Sequence, residues 1–241
     1  MKTRKVEEGK TNEGISVLVY ASPGIGKTYA LQYLPGKTLI IDADNGTKCL
    51  SVATNTNKDN IDIVGIGKDA CDIGSILAEL ESGNVKYDNV VLDTLTELDR
   101  ALLTYCGRLG KNGGAPELVH YNRVAFRVAD FCRSLRNLTA NGINVIFNTW
   151  EQEGEIIYPS GEKVSILKPM LSGKASPTTI CGLCDIIARL EISSKDDKTR
   201  FYRMSGNGGF FVRDRIYQRE WCPIDELLGP KTEGEKKNEP K

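Results

Sequence analysis

Histidine is nearly absent from this 241-residue chain, with His120 as its one copy. No cysteine or second histidine stands beside it at ligand spacing, so it is assigned no metal role, and a surface or helix-start position is expected. Net charge is lacking too: 32 Lys and Arg offset 32 Asp and Glu, and bulk charge gives no argument for a nucleic-acid partner. No run approaches the ~18–20 apolar residues that a membrane-spanning helix needs. The first residues, MKTRKVEEGK, have no apolar stretch of the kind a secretory signal carries. With seven scattered cysteines, an odd number, this reads as a cytoplasmic protein with reduced thiols. Cys181 and Cys184 form a C-x-x-C, yet no second Cys/His pair lies at zinc spacing, so partly buried structural thiols are expected there.

What is present is ordinary in bulk and uneven in place. The 40% of apolar residues suffices for a sizeable core. Acids dominate residues 42–99, twelve against four lysines. Basic residues dominate 100–136, seven against two acids, and 198–219, six against one. A polyanion would feel that local charge rather than the total.

Short apolar runs rich in Val and Ile alternate with helical patterns, which predicts an α/β fold with a mainly parallel sheet. The runs are 15–20 (ISVLVY), 38–42 (TLIID), 61–66 (IDIVGI), 89–93 (NVVLD) and 143–148 (INVIFN). Helices are expected over 28–34, 72–80 and 121–140, the last with Val124, Val128, Phe131, Leu135 and Leu138 on one stripe. Beyond Asn148, segments 155–158 and 163–167 flank Pro-Ser-Gly-Glu and read as a β-hairpin. A Gly/Ser/Pro-bearing link (171–177) and strands over 185–192 and 200–204 follow, with a turn at 206–209, as an antiparallel extension of the same sheet. One domain over 14–228 is expected, with 1–13 and 229–241 as flexible ends.

The most specific segment is Ala21, Ser22, Pro23, Gly24, Ile25, Gly26, Lys27, Thr28, the pattern G-x-x-x-x-G-K-[ST] with Ala at its first position. Gly24 and Gly26 permit positive φ and close approach of a ligand, and successive N–H groups then face an anion at a helix start. Lys27 suits the β- and γ-phosphates and the Thr28 hydroxyl suits Mg²⁺, so ATP with Mg²⁺ is the expected ligand. Asp93, at the end of a buried strand, is the expected second metal residue. Asp42 and Asp44 end the neighbouring strand, and either could orient an attacking water, Asp44 being the choice. Asn148 or Thr149, closing the strand over 143–148, could sense a γ-phosphate.

In this order the motifs ASPGIGKT, LIIDADNG, VVLDTLTEL, VIFNTWEQ, a hairpin and RMSGNGGFFVRDR resemble the RecA-type ATPase core over residues 14–220. More narrowly they are similar to phage-encoded RecA-like nucleotide-binding proteins, among them single-strand annealing recombinases of the Sak group. The resemblance implies a RecA-like P-loop ATPase that binds single-stranded DNA and promotes annealing or recombination. It would act as a homo-oligomer in a bacterial host's cytoplasm, alongside a phage single-strand binding protein. It implies that Lys27 and Thr28 meet phosphate and magnesium, with Asp93 as second metal residue. Asp44 stands where the family carries a catalytic glutamate, Thr149 near its polar sensor, and Arg213 and Arg215 where a basic residue completes a neighbour's ATP site. DNA-binding loops would fall at 106–118, with Arg108 and Lys111, and at 151–177, with Lys163, Lys168 and Lys174. Trp150 and Tyr158 are candidates for stacking on bases, and Arg123, Arg127, Arg133 and Arg136 could add charge. The competing reading is a P-loop ATPase that acts as a switch or motor on protein partners without DNA.

Overall fold

The computed structural model describes residues 13–67, 72–157, 159–172, 175–195, 198–206 and 209–229. The expectations for 1–12, Tyr158, Lys174, the middle of the 206–209 turn and 230–241 lie outside these residues. Five strands alternate with helices in the first two thirds: β1 (Ser16–Ala21), α1 (Lys27–Ala30), β2 (Thr38–Asp42), β3 (Ile61–Gly65), α2 (Ile73–Ser82), β4 (Asn89–Asp93), α3 (Leu95–Arg108), α4 (Leu118–Asn137) and β5 (Asn144–Ile157). Then come β6 (Lys163–Pro169), α5 (Ala175–Leu183), β7 (Ile186–Ile192), β8 (Arg200–Arg203), β9 (Arg213–Asp214) and β10 (Trp221–Pro223).

The strands join one sheet in the order β10-β8-β7-β1-β5-β4-β2-β3, with β6 on β5 and β9 on β7. The six from β7 to β3 are parallel. Strands β6, β8, β9 and β10 pair antiparallel, as the late strands were expected to do.

Strand alternation divides the core into two layers. Leu18 and Tyr20 of β1, Leu92 of β4 and Phe147 of β5 face α2, α3, α4 and α5. Val17, Val19 and Ala21, with Ile40, Val91 and Ile146, face α1 and the late strands. Burial of both faces explains the apolar runs, since every position of β1, β2 and β4 is buried. Each large side chain buried this way contributes about 1.5–3 kcal/mol.

Three expectations change. The helix expected over 28–34 stops at Ala30 and tightens into a 3-10 turn, Leu31–Tyr33, because Leu34 precedes Pro35 and takes extended backbone (ψ 131°). The cationic loop placed at 106–118 is narrower than expected: Cys106 and Arg108 belong to the last turn of α3, and α4 begins at Leu118. The link over 171–177 runs into α5, whose first turn accommodates Pro177 because that turn's N–H groups have no helical acceptor. Two arginines fasten the far end of α5. Arg136 Nε donates to Leu183 O at 2.9 Å, and Arg213 Nη2 donates to the carbonyls of Cys181 and Cys184.

Candidate nucleotide site

The parallel register brings the acidic and amide side chains to one edge. Asp42 pairs with Asp93, and Asn148 lies beside Val19, two residues before β1 ends. Beyond β1 the chain turns through Gly24 (φ 85°) and Gly26 (φ 104°) before α1 starts at Lys27. Both glycines take the left-handed backbone expected of them.

Lys27 is 7% exposed. Its Nζ donates to Ala21 O at 2.8 Å and Ser22 O at 3.2 Å, so the ammonium closes the loop on itself. Burial pulls it below its ordinary value, against the fields of Asp93, Glu151 and Asp44. Thr28 Oγ1 donates to Asp93 Oδ2 at 2.6 Å, and Asn148 Nδ2 donates to Asp93 Oδ1 at 3.0 Å. Asp93 is fully buried. Burial pushes its carboxyl up to about 6; the bonds from Thr28 and Asn148 oppose the rise, and Asp44 and Asp42 add to it. Thus Lys27, Thr28, Asp93 and Asn148 form one cluster.

The two acids at the end of β2 differ in freedom. Asp42 accepts from the backbone of Asp44 (3.2 Å) and Gly46 (3.3 Å) and from Thr47 Oγ1 (2.6 Å), so both its oxygens hold the following turn. Asp44 accepts from Gly46 N, at 2.8 Å. Partial burial raises its pKa and Asp42 adds to the rise, while Gly46 N and Lys27 oppose it. Thr149 is not part of the cluster: it is fully buried and its hydroxyl points to Val19 O at 3.4 Å. The strand's alternation gives the Asp93 contact to Asn148 instead, the other residue named at this strand end.

Arg213 and Arg215 lie away from this edge. Arg213 pairs with Ile187 of β7, level with the middle of β1, and its guanidinium holds α5. Arg215 donates its N–H to Asp185 O, which is level with the start of β1, and its side chain is exposed. Neither reaches its own chain's cluster. Among the DNA candidates, Arg108 and Lys111 are exposed. Lys163 sits 3.8 Å from Glu155 across the hairpin, and Lys168 lies over Gly154. One face of Trp150, which is half-buried, is covered by Arg100, 4.7 Å from its ring centroid. Arg133 pairs with Asp130, and Arg123 and Arg127 are exposed on α4.

His120 accepts the Glu117 N–H at 2.9 Å on Nδ1, the helix-start role expected of it. Cys181 and Cys184 are buried free thiols, and burial pushes Cys181 up to about 12. No cluster of three or more His, Cys, Asp or Glu suited to a metal ion occurs among the described residues. Among the described residues, no helix is long and apolar enough to cross a membrane.

Two residues at the loop were not singled out for it in the sequence. Glu151, on β5, accepts from Ser22 Oγ and from Arg189 Nε (2.9 Å), and Arg189 and Arg203 share Glu191 (2.9 and 2.8 Å). Burial works against the Glu151 charge, yet Arg189 and Ser22 hold its carboxyl below the ordinary range. Arg200, which opens β8, donates from Nε to Ile25 O at 2.7 Å. These contacts span 129 and 175 positions of sequence, and no local pattern encodes them.

No curated protein matches this chain. One similar solved structure is described as the crystal structure of the RadB recombinase, at 15% identity over 86% of this chain and 84% of that one, with a TM-score of 0.49. A likeness of that size transfers no activity, substrate or partner. The match that identifies a family covers residues 13–216, from the residue before Gly14 to just past β9. With its phosphate-loop pattern set between β1 and α1, the chain belongs to the AAA domain family of P-loop ATPases.

Proposed function

We propose that this protein is a RecA-like ATPase that binds ATP and Mg²⁺ at the 21–28 loop and couples them to single-stranded DNA in annealing or recombination. A phage or prophage setting follows the motif resemblance, with a bacterial cytoplasm, a homo-oligomer and a phage single-strand binding protein as its context. One observation carries the coupling: β5 is a single strand that touches Asp93 through Asn148 and then forms one arm of the hairpin bearing Lys163 and Lys168.

The residues present fit the ligand. Thr28 Oγ1 and Asp93 Oδ2 are hard oxygen donors 2.6 Å apart, the chemistry Mg²⁺ prefers. When bound, the ion would neutralise charge shared by the β- and γ-phosphates. Lys27 supplies a buried cation and the 24–27 backbone supplies N–H donors. Asn148 orients Asp93 through their hydrogen bond. Asp44 keeps one carboxylate oxygen without a backbone tie among the described residues and is the acid suited to orient water.

Asp44→Asn is therefore expected to slow single-turnover hydrolysis by about 100-fold, while affinity for a non-hydrolysable ATP analogue stays within about threefold. Hydrolysis at the wild-type rate would remove Asp44 from the reaction. Asp42→Asn should instead lower thermal stability, because it weakens the acceptors of the 44–47 turn.

The DNA reading is tested by anisotropy with labelled single-stranded DNA, with ATP and Mg²⁺, across a salt series. Binding that weakens linearly in log salt is expected, together with an ATPase rate that DNA raises. Absence of salt-dependent binding overturns the DNA reading. A second reading then stands, a switch acting on a protein partner, favoured by the exposed Leu118, Val119 and Phe126 on α4 (78, 54 and 79% exposed).

A further inference from the structure

The 21–28 loop has two flanks. The acids lie on one: Asp93 ends β4 and Asp42 ends β2, both beyond β5 from β1. On the other flank, beyond β7, β8 begins with Arg200. Its Nε is bonded to Ile25 O at 2.7 Å, and its guanidinium lies so close to Gly26 that a Cβ there would stand 3.0 Å from Nε. Its other hydrogen bond among the described residues runs from Nη1 to Lys198 O at 3.2 Å. Both acceptors are main-chain carbonyls. Arg200 therefore brings a full positive charge to the rim of a phosphate-binding loop, on the flank where no acid of the cluster stands.

A nucleoside triphosphate laid in this loop has a fixed direction. Thr28 and Asp93 would hold the Mg²⁺ that neutralises the terminal phosphates, so the γ end would lie toward β4 and β2. The α-phosphate and nucleoside then leave on the flank of β7 and β8. A guanidinium has five donors in a planar fork, and Nη2 is free of the two carbonyl bonds, which suits a phosphate oxygen.

We propose that Arg200 is a nucleotide-binding residue that contacts the α-phosphate from the β8 flank of its own chain. This rests on the nucleotide reading of the loop. The contact is common to ADP and ATP, so Arg200 sets affinity for both and does not distinguish them. It also ties the nucleotide to β8, so that the late antiparallel strands join the site.

The test is calorimetric titration of ADP and of a non-hydrolysable ATP analogue, each with Mg²⁺, into wild type, Arg200→Gln and Arg200→Lys. Gln keeps a donor for Ile25 O and loses the charge; Lys keeps the charge. Gln is expected to weaken both nucleotides by about tenfold and to equal degree, and Lys to stay within about threefold of wild type. Full affinity in Gln overturns the proposal. So does equal loss in both variants, which marks a loop-fastening role, and so does a loss confined to the ATP analogue, which marks a γ-phosphate contact. If Gln fails to fold, the Lys variant decides alone: tenfold weakening of both nucleotides refutes the charge contact, and retained affinity supports it. A wild type that binds neither nucleotide removes the nucleotide reading itself, an outcome separate from loss of Arg200 alone.

Discussion

Lys27→Ala is expected to weaken binding of ATP with Mg²⁺ by at least about 100-fold, two or more decades of charge-assisted contact to phosphate, and to leave no measurable turnover. The ammonium is buried, and desolvation lowers its pKa while the fields of Asp93, Glu151 and Asp44 oppose that fall. Its partners here are two carbonyls of its own loop, acceptors that a phosphate replaces with full negative charge. Alanine removes both the cation and the loop closure. The fold should survive, because the change deletes a costly buried charge and leaves the core layers untouched. Calorimetric titration and a melting curve check both halves. An affinity within threefold of wild type would mean that the phosphates bind elsewhere.

Gly14→Ala should be the most damaging glycine substitution outside the loop. A Cβ at Gly14 would lie 2.1 Å from Ile143 O and 2.8 Å from Asn144 N, backbone atoms with no side-chain freedom to move aside. The approach to β1 is fixed on both sides, by Gly14 N to Thr139 O at 2.8 Å and by Ile15 N to Asn144 Oδ1 at 3.1 Å. Relief of the clash requires β1 and β5 to separate at their start. Overpacking of this severity costs about 3 kcal/mol, which for a chain of this size lowers Tm by roughly 6–12 °C. Gly74, exposed in α2, is the contrast, because a Cβ added there would meet nothing within 4 Å. Gly74→Ala should gain about 0.5–1 kcal/mol, the helix preference of alanine over glycine. Thermal melts of the two variants settle both, and an unchanged melt for Gly14→Ala would refute the clash.

The legible parts of the sequence were those with a local code. The strands β1, β2 and β4 and the first part of β5 announce themselves because burial on both faces makes them largely apolar. The loop's glycines and Lys27 follow a fixed spacing, and Asp93 stands at a strand end where its neighbours are hydrophobic. Helix α3 went unread although Thr94-x-x-Glu97 is a helix-start signature, and Thr94 Oγ1 does accept the Glu97 N–H at 3.2 Å. Helix α5 was obscured by Ser, Pro and Gly, residues that suit a link equally well. Asn148 and Thr149 were separable only once register decided which one faces Asp93. Glu151, Arg189 and Arg200 reach the loop by chain crossings, and the charge of such residues reads as ordinary surface until the sheet order is known. The same ambiguity applied to Arg213, whose charge closes a helix end inside its own chain.

Strand β5 has a mechanical consequence. From Asn148 to Ile157 it runs ten residues, about 30 Å of extended chain, braced by β1 and β4 at one end and by β6 at the other. A paired rod of that length is a lever with its short arm at Asp93. A tilt of about 5° at Asn148 would sweep the far end through roughly 2–3 Å by the geometry of the extended strand, a displacement comparable to a hydrogen bond's length and far larger than the motion that produced it.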